Sequence, residues 1–151
     1  MMKDTPSGYS ENQLVTNRAA VLLYGASEAD RQKWAQEAAE AFSEEGPLQE
    51  LREPEEQAIT AAFTRSKGVI YVPDAGKLPW DSQRELARQL REKEERPKWV
   101  VGLGMSPEGA VGKGLLRDDL AYALARSRVD LNDVTVKQSV KKRRAKAGKK
   151  R

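Results

Sequence analysis

Two short stretches of this chain place polar residues where α/β proteins bind phosphate. Val21-Leu22-Leu23-Tyr24-Gly25 is an apolar run ending in glycine, and Ser27 follows in position to cap a helix. Such a turn can cradle phosphate when convergent N–H groups, a further glycine and a lysine with a hydroxyl neighbour follow at fixed distance. Here those places hold Asp30, Arg31 and Gln32, and Glu28 adds a second carboxylate. Acids in that position repel phosphate, and Arg31 could reach one but has no adjacent hydroxyl for magnesium. The second stretch, Gly68 to Val72, is a buried-strand pattern that empties into Pro73-Asp74-Ala75-Gly76-Lys77-Leu78-Pro79. A magnesium-binding carboxylate belongs at the end of such a strand, but proline has no ligand atom to offer. Asp74 remains, and its simplest role is a turn carboxylate capping the next segment.

The third chemical signal is charge. The 151 residues carry 27 Lys/Arg and 23 Asp/Glu, a net +4, but the distribution is uneven. Residues 133–151 hold nine Lys/Arg against one acid, a net +8; the first 132 hold eighteen against twenty-two, a net −4. Lys137, Lys141, Lys142, Arg143, Arg144, Lys146, Lys149, Lys150 and Arg151 make a self-repelling tail that attracts polyanions. No aromatic residue is interleaved with them, so non-specific phosphate contact with DNA, or RNA, is expected rather than base stacking. A solubilising tail without a defined partner and an anionic lipid surface are the other readings; no apolar anchor accompanies the charges. Cysteine and histidine are both absent, which removes disulfides, thiolate metal sites and imidazole catalysis. No apolar run reaches the ~20 residues of a membrane span, and no signal-peptide core opens the chain. A cytoplasmic, possible nucleoid-associated protein is expected.

Several elements must position these residues. Residues 1–17 are polar and aperiodic and are expected to be a flexible lead-in. Strand patterns at 19–24, 48–51, 69–72, 99–103 and 127–131 alternate with helical patterns. Ser27 opens the first helix, with Trp34, Ala35, Ala38, Ala41 and Phe42 on one face. Pro54 is placed in the first turn of the second, which presents Ala58, Ile59, Ala62 and Phe63. Asp81 is read as the cap of the third, which faces Leu86 and Leu90 inward. Leu116, Leu120 and Leu124 define a fourth over 115–126. The glycines at 102, 104, 109, 112 and 114, with Lys113 among them, read as a mobile loop rather than a second phosphate cradle. Trp34, Trp80 and Trp99 read as core or interface residues, Trp80 being the most accessible. Strands alternating with helices imply right-handed crossovers and a five-stranded, mostly parallel sheet in a three-layer α/β domain over 18–132.

The chain resembles the AAA+ domain of bacterial enhancer-binding proteins, the sigma-54-dependent transcription activators. The likeness rests on Val21 to Ser27, on Gly76-Lys77-Leu78-Pro79 followed by Gln83, Leu86 and Leu90, and on Leu116-Arg117-Asp118-Asp119-Leu120-Ala121-Tyr122. It implies a P-loop NTPase-like fold over residues 19–131. It also implies that Pro73 stands for the magnesium-binding Asp, Asp74 for the water-activating Glu, and Gly104-Met105 for a polar sensor. Arg117 matches an arginine that acts across subunits and is the candidate subunit contact, whereas Ala123 replaces a later arginine. The stretch between Phe42 and Gly68 is too short for the loop that engages the sigma factor, and the helical lid subdomain is missing after residue 131. A receiver domain uses an Asp after its third strand and is the minor fold alternative, but Tyr24-Gly25-Ala26 supplies none of the acids it needs. The expectation is a degenerate, non-catalytic AAA+-like domain with no cofactor, which binds a protein partner or self-associates while its tail contacts DNA. A residual nucleotide-binding switch, or an adaptor whose tail holds an acidic protein, is the alternative.

Overall fold

Five strands hydrogen-bond in the order β2-β3-β4-β1-β5, every neighbouring pair parallel. They are β1 (Val21–Tyr24), β2 (Gln49–Glu50), β3 (Val69–Val72), β4 (Lys98–Leu103) and β5 (Arg128–Asp130). The computed structural model describes residues 10–64, 67–93 and 96–132. The basic tail assigned to residues 133–151 lies outside them, as do residues 1–9 of the lead-in. All five strand patterns in the sequence form strands, and the sheet is wholly rather than mostly parallel.

Side-chain alternation along each strand divides the core into two layers. Val21 and Leu23 face one side with Tyr71, Val100 and Val129, where α1 (Glu11–Thr16) and α2 (Glu28–Ala41) cover them with Leu14, Trp34, Ala35 and Ala38. Leu22 faces the other side with Ile70, Val72, Trp99 and Val101. There α3 (Glu56–Phe63), α4 (Trp80–Glu92), α5 (Pro107–Gly112) and α6 (Asp118–Ala123) contribute Ile59, Leu86, Ala110 and Leu120. Phe63 stacks on Trp99 with ring centroids 4.6 Å apart, which fixes α3 against β4. The result is the expected three-layer sandwich.

Five local expectations are corrected. Residues 11–16 form a helix instead of belonging to a flexible lead-in. Ser10 and Gln13 make a reciprocal capping box, Leu14 and Val15 are buried, and Glu11 accepts from the Trp34 indole N–H at 2.6 Å. Pro54 lies before α3, whose cap is Glu55, and Asp81 lies inside the first turn of α4, after a Pro79 cap. The glycine-rich loop contains α5, because Ser106 accepts from Gly109 N–H and Pro107 pre-sets the first helical residue. The long helix expected over 115–126 shortens to α6, while Leu116 and Leu124 stay buried outside it.

One buried charge has a measurable consequence. Lys98 opens β4 and is fully buried; its Nζ donates to Leu14 O at 2.6 Å and to Ala19 O. These bonds tie the end of α1 and the start of β1 to the sheet. Among the described residues no carboxylate pairs with it. Burial, reinforced by Arg18 and Arg96, pushes its pKa from 10.5 down to about 7. Between those values the unfolded chain binds the extra proton, so stability rises with pH. Unfolding free energies from urea titrations should climb between pH 7 and 10, with a slope of up to about 1.4 kcal/mol per pH unit. Lys98→Met should flatten that climb. Above pH 10 the trend should reverse, because burial pushes the Tyr71 hydroxyl up to about 12 and the unfolded chain loses that proton first.

Candidate functional site

The C-terminal ends of β1, β3 and β4 converge on one edge of the sheet, where open α/β sheets place their ligands. The turn after β1 is unusual in its backbone. Gly25 has φ +80° and Ala26, which carries a Cβ, has φ +52°. Ser27 caps α2, accepting from Asp30 N–H at 3.1 Å through its hydroxyl and from Arg31 N–H at 3.1 Å through its carbonyl.

Three groups close this turn. Arg31, only 5% exposed, folds back so that its guanidinium donates to Gly25 O at 3.1 Å and Ala26 O at 3.2 Å. Asn132, just after β5, accepts from Ala26 N–H at 3.0 Å through Oδ1. Asp130 in turn accepts from Asn132 N–H at 2.9 Å, which fixes the asparagine over the glycine. A Cβ on Gly25 would stand 2.5 Å from Asn132 Nδ2, so the turn has no room for a side chain there. Asp30 and Gln32 point to solvent on α2. Glu28 is bound by Arg52 at 2.9 Å, a contact that holds its carboxyl below the usual range.

After β3, Pro73 is buried and Asp74 caps the short turn Ala75–Lys77, accepting from Gly76 N–H at 2.9 Å. Across from it, β4 passes so near that a Cβ on Gly102 would lie 2.3 Å from Pro73 O. Gly104 and Met105 follow β4 and border a cleft with Asp74.

Arg117 is the cap of α6. Its guanidinium makes a two-point pair with Asp119 at 2.9 and 3.0 Å and lies 5.4 Å over the Trp80 ring. Its backbone N–H donates to Gln83 Oε1 at 2.8 Å, and Gln83 Nε2 donates to Leu115 O and Leu78 O. The buried amide of Gln83 thus joins the start of α4 to the approach of α6. Trp80, Leu115 and Tyr122 are the large hydrophobic residues left exposed nearby on these elements, at 50, 41 and 81%. Lys113 is exposed at the end of α5.

Known structures share this fold. The chain is similar to the P-loop NTPase domain of a sigma-54 activator from E. coli, with TM-score 0.61 and 20% identity, covering 80% of this chain and 95% of that one. It is similar to NtrX from Brucella abortus, determined in complex with ATP, with TM-score 0.62 and 16% identity over 80% of this chain and 34% of that chain. RuvB from Thermotoga maritima matches with TM-score 0.56 and 16% identity, over 75% of this chain and 37% of that one. This chain has an AAA+-like P-loop NTPase fold. It resembles the sigma-54 activator domain among its structural neighbours, and it spans about a third of the NtrX chain. At these identities the likeness is one of fold alone. No family model and no curated protein matches the sequence.

Within the AAA+-like frame, the fold brings Gly25, Arg31 and Asp30 to one strand end and Pro73 and Asp74 to another. Arg117 lies on the α4–α6 side, and the nine tail cations fall outside the described residues. Sequence reasoning missed Asn132, because nothing in a lone Asn after a strand signals a contact 106 residues away. It also read Arg31 as a group that could reach a phosphate, whereas the side chain is turned onto its own turn. The close approach at Gly102 yields a direct test. Gly102→Ala should lower stability by about 2–4 kcal/mol in chemical denaturation, since backbone rather than a pliable side chain blocks the methyl. Gly104→Ala, which meets only ordinary contacts, should change it by less than about 1 kcal/mol.

Proposed function

We propose that this chain is a non-catalytic regulatory or interaction protein built on an AAA+-like domain, with a basic tail that contacts DNA. The observation that carries the reading is the self-closed turn after β1. At the place where a phosphate loop keeps its lysine, Arg31 is engaged with the carbonyls of Gly25 and Ala26. The amides of Ala26, Asp30 and Arg31 are each taken by the protein's own oxygens. A triphosphate gains its binding energy from free convergent donors and cationic charge, and Asp30 and Glu28 add the opposite charge. Pro73 carries no ligand atom for magnesium. Arg117 is paired with Asp119 rather than held out toward a neighbour. Positioning and arginine-finger terms supply about 10³–10⁵ of the rate in such enzymes, and they depend on bound nucleotide and metal. These residues do not fit a magnesium–nucleotide complex.

The body then serves as a binding surface for a protein partner or a second copy, with Trp80, Leu115 and Tyr122 near Arg117 as the favoured contact region. The tail residues from Lys137 to Arg151 supply the contact to DNA. A role in transcription regulation or nucleoid organisation rests on the resemblance to the sigma-54 activators.

Two measurements test this. Calorimetry with Mg-ATP should show no saturable heat, and phosphate release should stay at background. Micromolar binding would favour the nucleotide switch instead. Retention on DNA should fall by about 10³ in affinity between roughly 50 and 200 mM salt, and vanish on removal of residues 137–151. Retention indifferent to salt would sink the DNA reading.

A further inference from the structure

A cleft of about 300 Å³ opens at the C-terminal ends of β3 and β4, bounded by the Ala75–Lys77 turn, α5 and Leu115. Its walls are mainly hydrocarbon, from Leu103, Met105, Ala110 and Leu115. One carboxylate interrupts them. Asp74 uses Oδ1 to cap its turn, while Oδ2 has no hydrogen-bond partner among the described residues. That oxygen lies 3.7 Å from where a Cβ on Gly104 would stand, so the glycine leaves the space in front of it open. Lys77 borders the same cleft and is exposed.

We propose that this cleft binds a small ligand with a cationic nitrogen on a short aliphatic body, such as a branched aliphatic amine or the corresponding amino acid. A half-buried carboxylate beside apolar walls gains a charge-assisted hydrogen bond from an ammonium group, and the walls gain contact with hydrocarbon. The volume sits at the lower end of ligand sites and limits the guest to amino-acid size. Phosphates and simple carboxylates are disfavoured by the charge on Asp74. A zwitterion is admitted because Lys77 can meet its carboxylate. The proposal requires neither the tail nor the closed turn, so its outcome is separable from the DNA and nucleotide tests.

The test is calorimetry on the full chain with 3-methylbutylamine, leucine and the uncharged 3-methylbutanol. Saturable binding of the amine or of leucine is expected, with the alcohol at least about tenfold weaker. Asp74→Asn should lose about tenfold in affinity for the charged probes while keeping its melting temperature, because the amide oxygen can still cap Gly76. Gly104→Val should block binding with Asp74 intact. Binding of leucine alone, lost in Lys77→Gln, would support the proposal with both charges engaged. Equal binding of alcohol and amine, unchanged affinity in Asp74→Asn, or no saturable heat from either charged probe would overturn it.

Discussion

The guanidinium of Arg31 ties α2 back onto the turn that precedes it. It leaves the first turns of α2 and donates to two consecutive carbonyls of the turn after β1. That turn holds an alanine in the left-handed region, at a cost of about 1–2 kcal/mol relative to glycine. The two bonds from Arg31 and the one to Asn132 offset that cost. Because Asn132 is held by Asp130 of β5, and β5 pairs with β1, the turn is braced from the helix side and from the sheet side. An anion entering there would have to displace a buried cation from carbonyls and an amide from its acceptor. Fold and site chemistry meet at this point, since the same contacts that shape the turn occupy its donors.

The other side of the site follows from sheet geometry. A parallel sheet covered on both faces must give every strand residue a partner above or below, and the two core clusters do so by strict alternation. Where β3 leaves the sheet it runs beside the C-terminal end of β4, and glycine at position 102 is what leaves room for Pro73 O. This close approach sets where Asp74 leaves the sheet. Gln83 plays the equivalent part between α4 and the approach to α6, satisfying two carbonyls and one amide with a single buried side chain. Arg117 is placed by that amide, and its orientation toward Asp119 and Trp80 follows.

β1, β3 and β4 were legible because each is a short, largely apolar run bounded by Gly, Pro or charge, and burial on two faces demands that composition. Ser27 was legible as a cap for a local reason: its hydroxyl reaches an amide three residues on. The misses share a different cause. The helix at 11–16 has only Leu14 and Val15 as apolar signal, and docking supplies the rest through Trp34 and Lys98. The glycines at 109 and 112 argue against a helix, yet Ser106 and Pro107 start one and the core buries Ala110. In the site, the identities of Asp30, Gln32 and Pro73 were readable without coordinates because they concern which atoms a side chain possesses. The positions of Arg31 and Asn132 were not, because direction is decided by tertiary contact.

Asn132 precedes the cationic residues 133–151 in sequence, and its Oδ1 is the acceptor for Ala26 N–H. Any polyanion that displaced Asn132 on binding the tail would cost the turn that bond. A single neutral hydrogen bond contributes about 1 kcal/mol net, so occupancy at one end could shift the equilibrium at the other by about fivefold. Arg31 keeps its two carbonyl bonds throughout, since neither involves β5 or the segment beyond it. Opening the turn fully would therefore require a second event acting on α2 itself. On the proposed reading the tail and the body are two binding units in one chain, which raises the local concentration of one partner near the other.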